Sequence, residues 1–111
     1  MVFEDKRKFP RSEFREPVAY RLSESGVFNG SVGYDLSQGG VRFRSEDFIP
    51  QDAEVVINLE LKPERKATLT GRVVWAQKVA HSEMYHIGCE FLENRANVFP
   101  LFIVKSFLES L

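Results

Sequence analysis

Val55-Val56-Ile57-Asn58-Leu59-Glu60-Leu61 is the stretch that decides the fold. Val55, Ile57, Leu59 and Leu61 recur at every second position, and side chains two apart share one face of a strand. Asn58 and Glu60 fall on the other face. The same period returns on both sides of this stretch. Upstream it places Val18, Tyr20 and Leu22 together, then Val41 and Phe43; downstream it places Leu69, Gly71, Val73 and Trp75, then Tyr85, Ile87, Cys89 and Phe91. The breaks fall at Ser25-Gly26, Gln38-Gly39-Gly40, Pro50-Gln51-Asp52, Lys62-Pro63-Glu64-Arg65 and Ala80-His81-Ser82-Glu83, which carry turn residues. With Asn29 to Asp35 as the second strand, about six antiparallel strands result. Period-two patterning repeated this often argues for a barrel or a sandwich.

The pattern changes at each end of the chain. Residues 1–15 have few apolar positions and alternating charge, so they are expected to form a flexible arm, with the folded body starting at Glu16. After Asn94 the apolar residues are too dense for alternation. Asn97 can cap a helix over 97–111 that has Pro100 in its first turn, where proline is tolerated. Phe99, Ile103, Phe107 and Leu111 form one row of that helix, and Leu101, Val104 and Leu108 form another. One row can cover an open barrel end. The other calls for a deeper burial or for a partner, such as a second copy of the chain.

Length and charge narrow the function. The 111 residues and 43% hydrophobic content suit one domain over 1–111 with a single modest core. No apolar run reaches the roughly 20 residues that span a bilayer, and Glu4, Asp5, Lys6, Arg7 and Lys8 leave no apolar signal segment, so no membrane insertion and a cytoplasmic location are expected. Cys89 is the only cysteine, which excludes an intrachain disulfide and suits a small core residue. A net charge of −1 provides no broad field for a nucleic-acid backbone. The positive charge is local: Lys6, Arg7, Lys8 and Arg11 cluster, while Glu4, Asp5, Glu13 and Glu16 limit the patch, which suits a small dianion better than a long polyanion. His81 and His86 are the only histidines, and HExxH, CxxC, GxxxxGK and GxSxG motifs are all absent. Neither catalysis nor a metal or other cofactor is expected.

Two short motifs carry the chemistry. Arg7-Lys8-Phe9-Pro10-Arg11 offers two guanidinium groups, each able to grip a phosphate in bidentate fashion or to stack on a base. Pro10 biases Phe9 away from helix. An extended segment then places the two Cα atoms roughly 13 Å apart, at about 3.3 Å per residue, which is the scale of a cyclic dinucleotide. Asp35-Leu36-Ser37-Gln38-Gly39-Gly40 offers a carboxylate that can accept from the N–H edge of guanine and a hydroxyl that can donate or accept. Its two glycines allow a ligand close to the backbone. Together the motifs outline a site for an anionic guanine nucleotide. Each also has a plainer explanation: a basic run is commonly a solvated tail, and Asp-x-Ser before Gly-Gly is commonly a hairpin turn.

The pair, in this order, resembles the PilZ family, whose domains bind the bacterial second messenger cyclic di-GMP through an RxxxR segment and a (D/N)xSxxG segment. Arg7 and Arg11 match the first; Asp35, Ser37 and Gly40 match the second. Pro17-Val18, Gly71-Arg72-Val73-Val74-Trp75 and Ile87-Gly88-Cys89-Glu90-Phe91 look like strands of that family, so the resemblance covers nearly the whole chain. It implies an all-β fold: an antiparallel β-barrel of about six strands over 16–93, a ligand-binding arm over 1–15 and a C-terminal helix. The ligand it implies is cyclic di-GMP, held by Arg7, Arg11, Asp35, Ser37, Gly39 and Gly40, with Lys6, Lys8 and His86 as further candidate contacts. It also implies an arm that orders over the ligand and a relay to an unidentified protein in motility, attachment or polysaccharide export. Lys6, before the first motif arginine, leaves open whether one ligand or a stacked pair binds. The alternative is an interaction module that works without nucleotide through its C-terminal helix. Nucleic acid on a small barrel is a third reading, against which the near-neutral charge speaks.

Overall fold

A computed structural model describes residues 9–22 and 26–111. Among these described residues, seven strands run in chain order: β1 (Ser12–Glu13), β2 (Pro17–Leu22), β3 (Asn29–Leu36), β4 (Gly40–Ser45), β5 (Glu54–Leu61), β6 (Arg65–Lys78) and β7 (Tyr85–Phe91). A 3₁₀ turn at Arg95–Asn97 leads into helix α1 (Val98–Glu109). Every strand pairing is antiparallel, in the order β1-β3-β2-β5-β6-β7-β4, and β3 also pairs with β4. That last pairing closes six strands into a barrel. Closure removes the exposed edges that an open sheet would leave.

The inward positions are those that the period selects. Val55, Ile57, Leu59 and Leu61 of β5 are buried, facing Val18, Tyr20, Val41, Phe43, Leu69, Val73 and Ile87. Burying each of these side chains contributes on the order of 1.5–3 kcal/mol. Leu22 departs from the expectation: it ends β2 and is 43% exposed. Trp75 is only half-buried because β6 has a bulge. Val73 pairs with Cys89 and Trp75 with Gly88, so Val74 is an extra residue that turns the following side chains.

Pairing and burial begin earlier than Glu16. Ser12 and Glu13 pair with Leu36 and Asp35, and Phe14 lies in the core at 3% exposure. A side chain on Gly33 would collide with Phe14, so the glycine is what lets the ring cross β3. Phe14 then packs edge-on against Phe107 of α1, with ring centroids 6.0 Å apart. The segment after Arg11 is thus part of the barrel wall.

The helix docks through an unexpected device. Asn97 occupies the position before α1, but its side chain makes no cap bond; Asn94 accepts from the Asn97 N–H instead. The Asn97 amide is buried. Its Oδ1 accepts from Thr70 N (3.0 Å), and its Nδ2 donates to Thr70 O (2.8 Å) and Leu92 O (2.7 Å). β7 ends at Phe91, so this amide continues the ladder alongside β6 where the strand has stopped. The two expected rows of α1 also divide differently. Val104 and Phe107 are buried, with Leu101, Ile103 and Leu108 packed beside them, while Val98, Phe99, Phe102 and Leu111 are exposed. Among the described residues, no helix is long and apolar enough to cross a membrane.

Candidate functional site

The site is built where β1, β3 and β4 meet. Gly33 pairs with Phe43 and Asp35 with Arg42, so Tyr34 is an inserted residue and β3 is bulged. In a regular strand Tyr34 and Asp35 would face opposite ways. The bulge leaves both outside the core, between buried Gly33 and Leu36.

Among the described residues, two arginines from different segments hold Asp35. Arg42 Nη2 stands 2.7 Å from Oδ2 in a close ion pair, and Arg11 Nη1 stands 3.7 Å from Oδ1. The carboxylate is 14% exposed. One oxygen is therefore taken, while the other faces a looser cation that can move to a phosphate and leave room for N–H donors. Arg42 is a functional candidate that the motif reading missed. Its signal was present: β4 alternates Val41 and Phe43 inward with Arg42 and Arg44 outward, and hairpin register sets Arg42 opposite Asp35. Arg42 Nε is buried with no hydrogen-bond partner among the described residues.

Ser37 organises the β3–β4 turn. Its Oγ accepts from Gly39 N and Gly40 N, both at 3.1 Å, and its own N–H donates to Gly40 O at 2.9 Å. The serine, rather than the aspartate, closes the hairpin, which frees the carboxylate for the arginines. At Gly40 a side chain would run into the Cys89 carbonyl, so β4 can approach β7 this closely only with glycine there. Gly39 lies under the ring of Phe9, whose Cδ2 would stand 3.0 Å from an added Cβ. The two motifs therefore touch directly: Phe9 covers Gly39, and Arg11 reaches Asp35.

Beside Asp35 lies a cluster around Tyr34. Arg15 and Arg42 place their guanidinium carbons 5.1 and 5.6 Å from its ring centre, and His86 lies 4.3 Å away, ring to ring. Burial lowers the His86 pKa below the ordinary 6.5, helped by the charges of Arg42, Arg15 and Arg44. A neutral imidazole suits this crowded cationic face. His86 thus sits on the outer wall next to the motif residues. Lys6, Arg7 and Lys8 lie outside the described residues. A separate depression of about 320 Å³, lined by Glu16, Lys62, Glu64 and Arg65 among others, includes none of the described motif residues.

The sequence profile of the PilZ domain matches residues 5–99. No curated protein matches the sequence. Among solved structures, the chain is similar to the inhibitor of motility MotI/DgrA of Bacillus subtilis, with a TM-score of 0.72 and 15% identity over 96% of this chain and 52% of that one. MrkH of K. pneumonia in complex with c-di-GMP gives 0.73 and 19%, again over 96% and 52%. The PilZ domain of YcgR from Escherichia coli with c-di-GMP gives 0.64 and 14%, over 96% and 94%. The chain spans about half the length of the first two and nearly all of the third.

Proposed function

This chain belongs to the PilZ domain family, and we propose that it is a cyclic di-GMP receptor that passes the signal to a protein partner. The observation that carries the proposal is the meeting of Arg11, from the first motif, with Asp35, from the second, at the β3–β4 edge. That pair presents a cation for phosphate and a carboxylate for the guanine N–H edge within one ligand's reach. Binding draws Arg11 onto a phosphate and Arg7 onto the ligand's other side, and Asp35, still fixed by Arg42, accepts from the base. Each arginine contributes about 1.5–3 kcal/mol through charge-assisted bonds, so removing one weakens binding about tenfold to a hundredfold.

Relay to a partner has a physical route. Phe14 lies between Arg11 and Arg15 in sequence and packs on Phe107, so the segment that closes on the ligand and helix α1 share a contact. Val98, Phe99 and Phe102 present an apolar face on that helix, fit to meet a partner protein or a second copy of the chain. The same face supports the alternative of a nucleotide-independent module. Amide resonances of residues 1–15, recorded with and without cyclic di-GMP, separate the two. The receptor reading predicts ligand-dependent shifts and slowed exchange there, whereas an unchanged spectrum at saturating ligand favours the nucleotide-independent module.

A further inference from the structure

The Tyr34 ring belongs to neither motif, although Arg42, which lies against it, also holds Asp35. The ring is an insertion that the ladder does not need, yet it draws two guanidinium groups and an imidazole from three separate segments. We propose that Tyr34, with Arg15 and Arg42 against its ring, is a second subsite that takes the other purine and phosphate of a cyclic dinucleotide, while Arg11 and Asp35 hold the first. The proposal rests on the receptor function above.

Charge and geometry both favour such a ligand. Among the described residues, Arg11, Arg15, Arg42 and Arg44 stand on this wall against the carboxylates of Asp35 and Glu13, an excess of two positive charges on a chain whose net charge is −1. A cyclic dinucleotide is a dianion. Among the described residues, Arg15 is engaged by Glu13 in an exposed pair at 3.5 Å and by the Tyr34 ring, and an exposed pair of this kind opposes its transfer to a phosphate only weakly. Arg42 lends one nitrogen to Asp35, keeps a buried Nε–H unpartnered among the described residues, and is still 37% exposed. A guanidinium lying over an aromatic ring offers its outer plane to a base. Stacking of a base on an aromatic group is sequence-tolerant and strong enough to change affinity about tenfold.

The test is calorimetric titration of the full chain with cyclic di-GMP, comparing wild type with Arg15→Gln, Tyr34→Leu, Tyr34→Phe and Asp35→Ala. We expect Arg15→Gln and Tyr34→Leu each to weaken binding about tenfold. Tyr34→Phe, which keeps the ring, should bind more tightly than Tyr34→Leu. Arg15→Gln should also flatten the fall of affinity with added salt, an effect that loss of packing alone would not produce. Arg15 is exposed, so its variant should fold even if the bulge tolerates no change at Tyr34. Wild-type affinity and salt dependence in Arg15→Gln, with binding lost in Asp35→Ala, would overturn the second subsite and leave the receptor standing. Absence of binding by folded wild type would overturn both.

Discussion

Replacing Asn97 with alanine should cost the fold about 3 kcal/mol, although the residue touches no motif. The side chain is 1% exposed and makes three hydrogen bonds of 2.7–3.0 Å. Thr70 O keeps a second donor, Leu92 N, at 3.0 Å. Thr70 N–H and Leu92 O lose the partners that Asn97 gives them, and a buried backbone group left unpaired costs about 1–3 kcal/mol. The total is a large share of the roughly 5–15 kcal/mol that stabilises a typical domain, and for this size it lowers the melting temperature by on the order of 10–15 °C. Asn97→Asp is the sharper probe. It keeps the shape but turns the two donors into a carboxylate facing two carbonyl oxygens, so it should cost more than alanine at neutral pH and recover as acid protonates it. Urea unfolding followed by the fluorescence of Trp75, the single tryptophan, measures both variants. If Asn97→Ala lies within about 0.5 kcal/mol of wild type, the ladder-extension argument is wrong.

Three other outcomes follow from the interior and the outer wall. Tyr20→Phe should destabilise by about 2 kcal/mol in the same assay, because the buried hydroxyl donates to Asp47 and accepts from Ser45 Oγ and Glu46 N. Burial pushes the Cys89 thiol up to about 12, so a thiol reagent should label native protein only as fast as it unfolds. The linked stability should be present below the ordinary value of 9.0 and be lost as pH rises toward 12. Labelling faster than unfolding would contradict the burial argument. His86, held below 6.5 by burial and then by Arg42, Arg15 and Arg44, binds its proton later than the unfolded chain does as pH falls. Native stability should therefore decline below pH 6.5, and His86→Gln should lessen that decline; identical pH profiles would contradict it.

The barrel was legible because alternation is a local property. Five inward-facing runs could be read from the sequence, and Asp35, Ser37 and Gly40 occupy the hairpin that the glycines announced. What escaped depends on contacts between distant segments. A two-residue strand such as Ser12–Glu13 has no period to detect, and Phe14 is buried only because Gly33 leaves it space. The bulges at Tyr34 and Val74 shift register without a distinctive residue, so the outward pairing of Tyr34 with Asp35 could not be inferred. Asn97 looks like a helix cap in sequence, and only the end of β7 gives its amide a different use. The rows on α1 were read from spacing alone, whereas the barrel's position decided that Phe107 turns inward and Phe99 outward.

The central claim is met most directly by calorimetric titration of the wild-type chain and an Arg7→Ala, Arg11→Ala double variant with cyclic di-GMP, using GTP and cyclic AMP as controls. Saturable binding of cyclic di-GMP by wild type, absent from the folded double variant and not reproduced by the controls, is the predicted result. A folded wild-type chain that releases no binding heat and shows no bound ligand on dialysis, or a double variant that binds as wild type does, would contradict it.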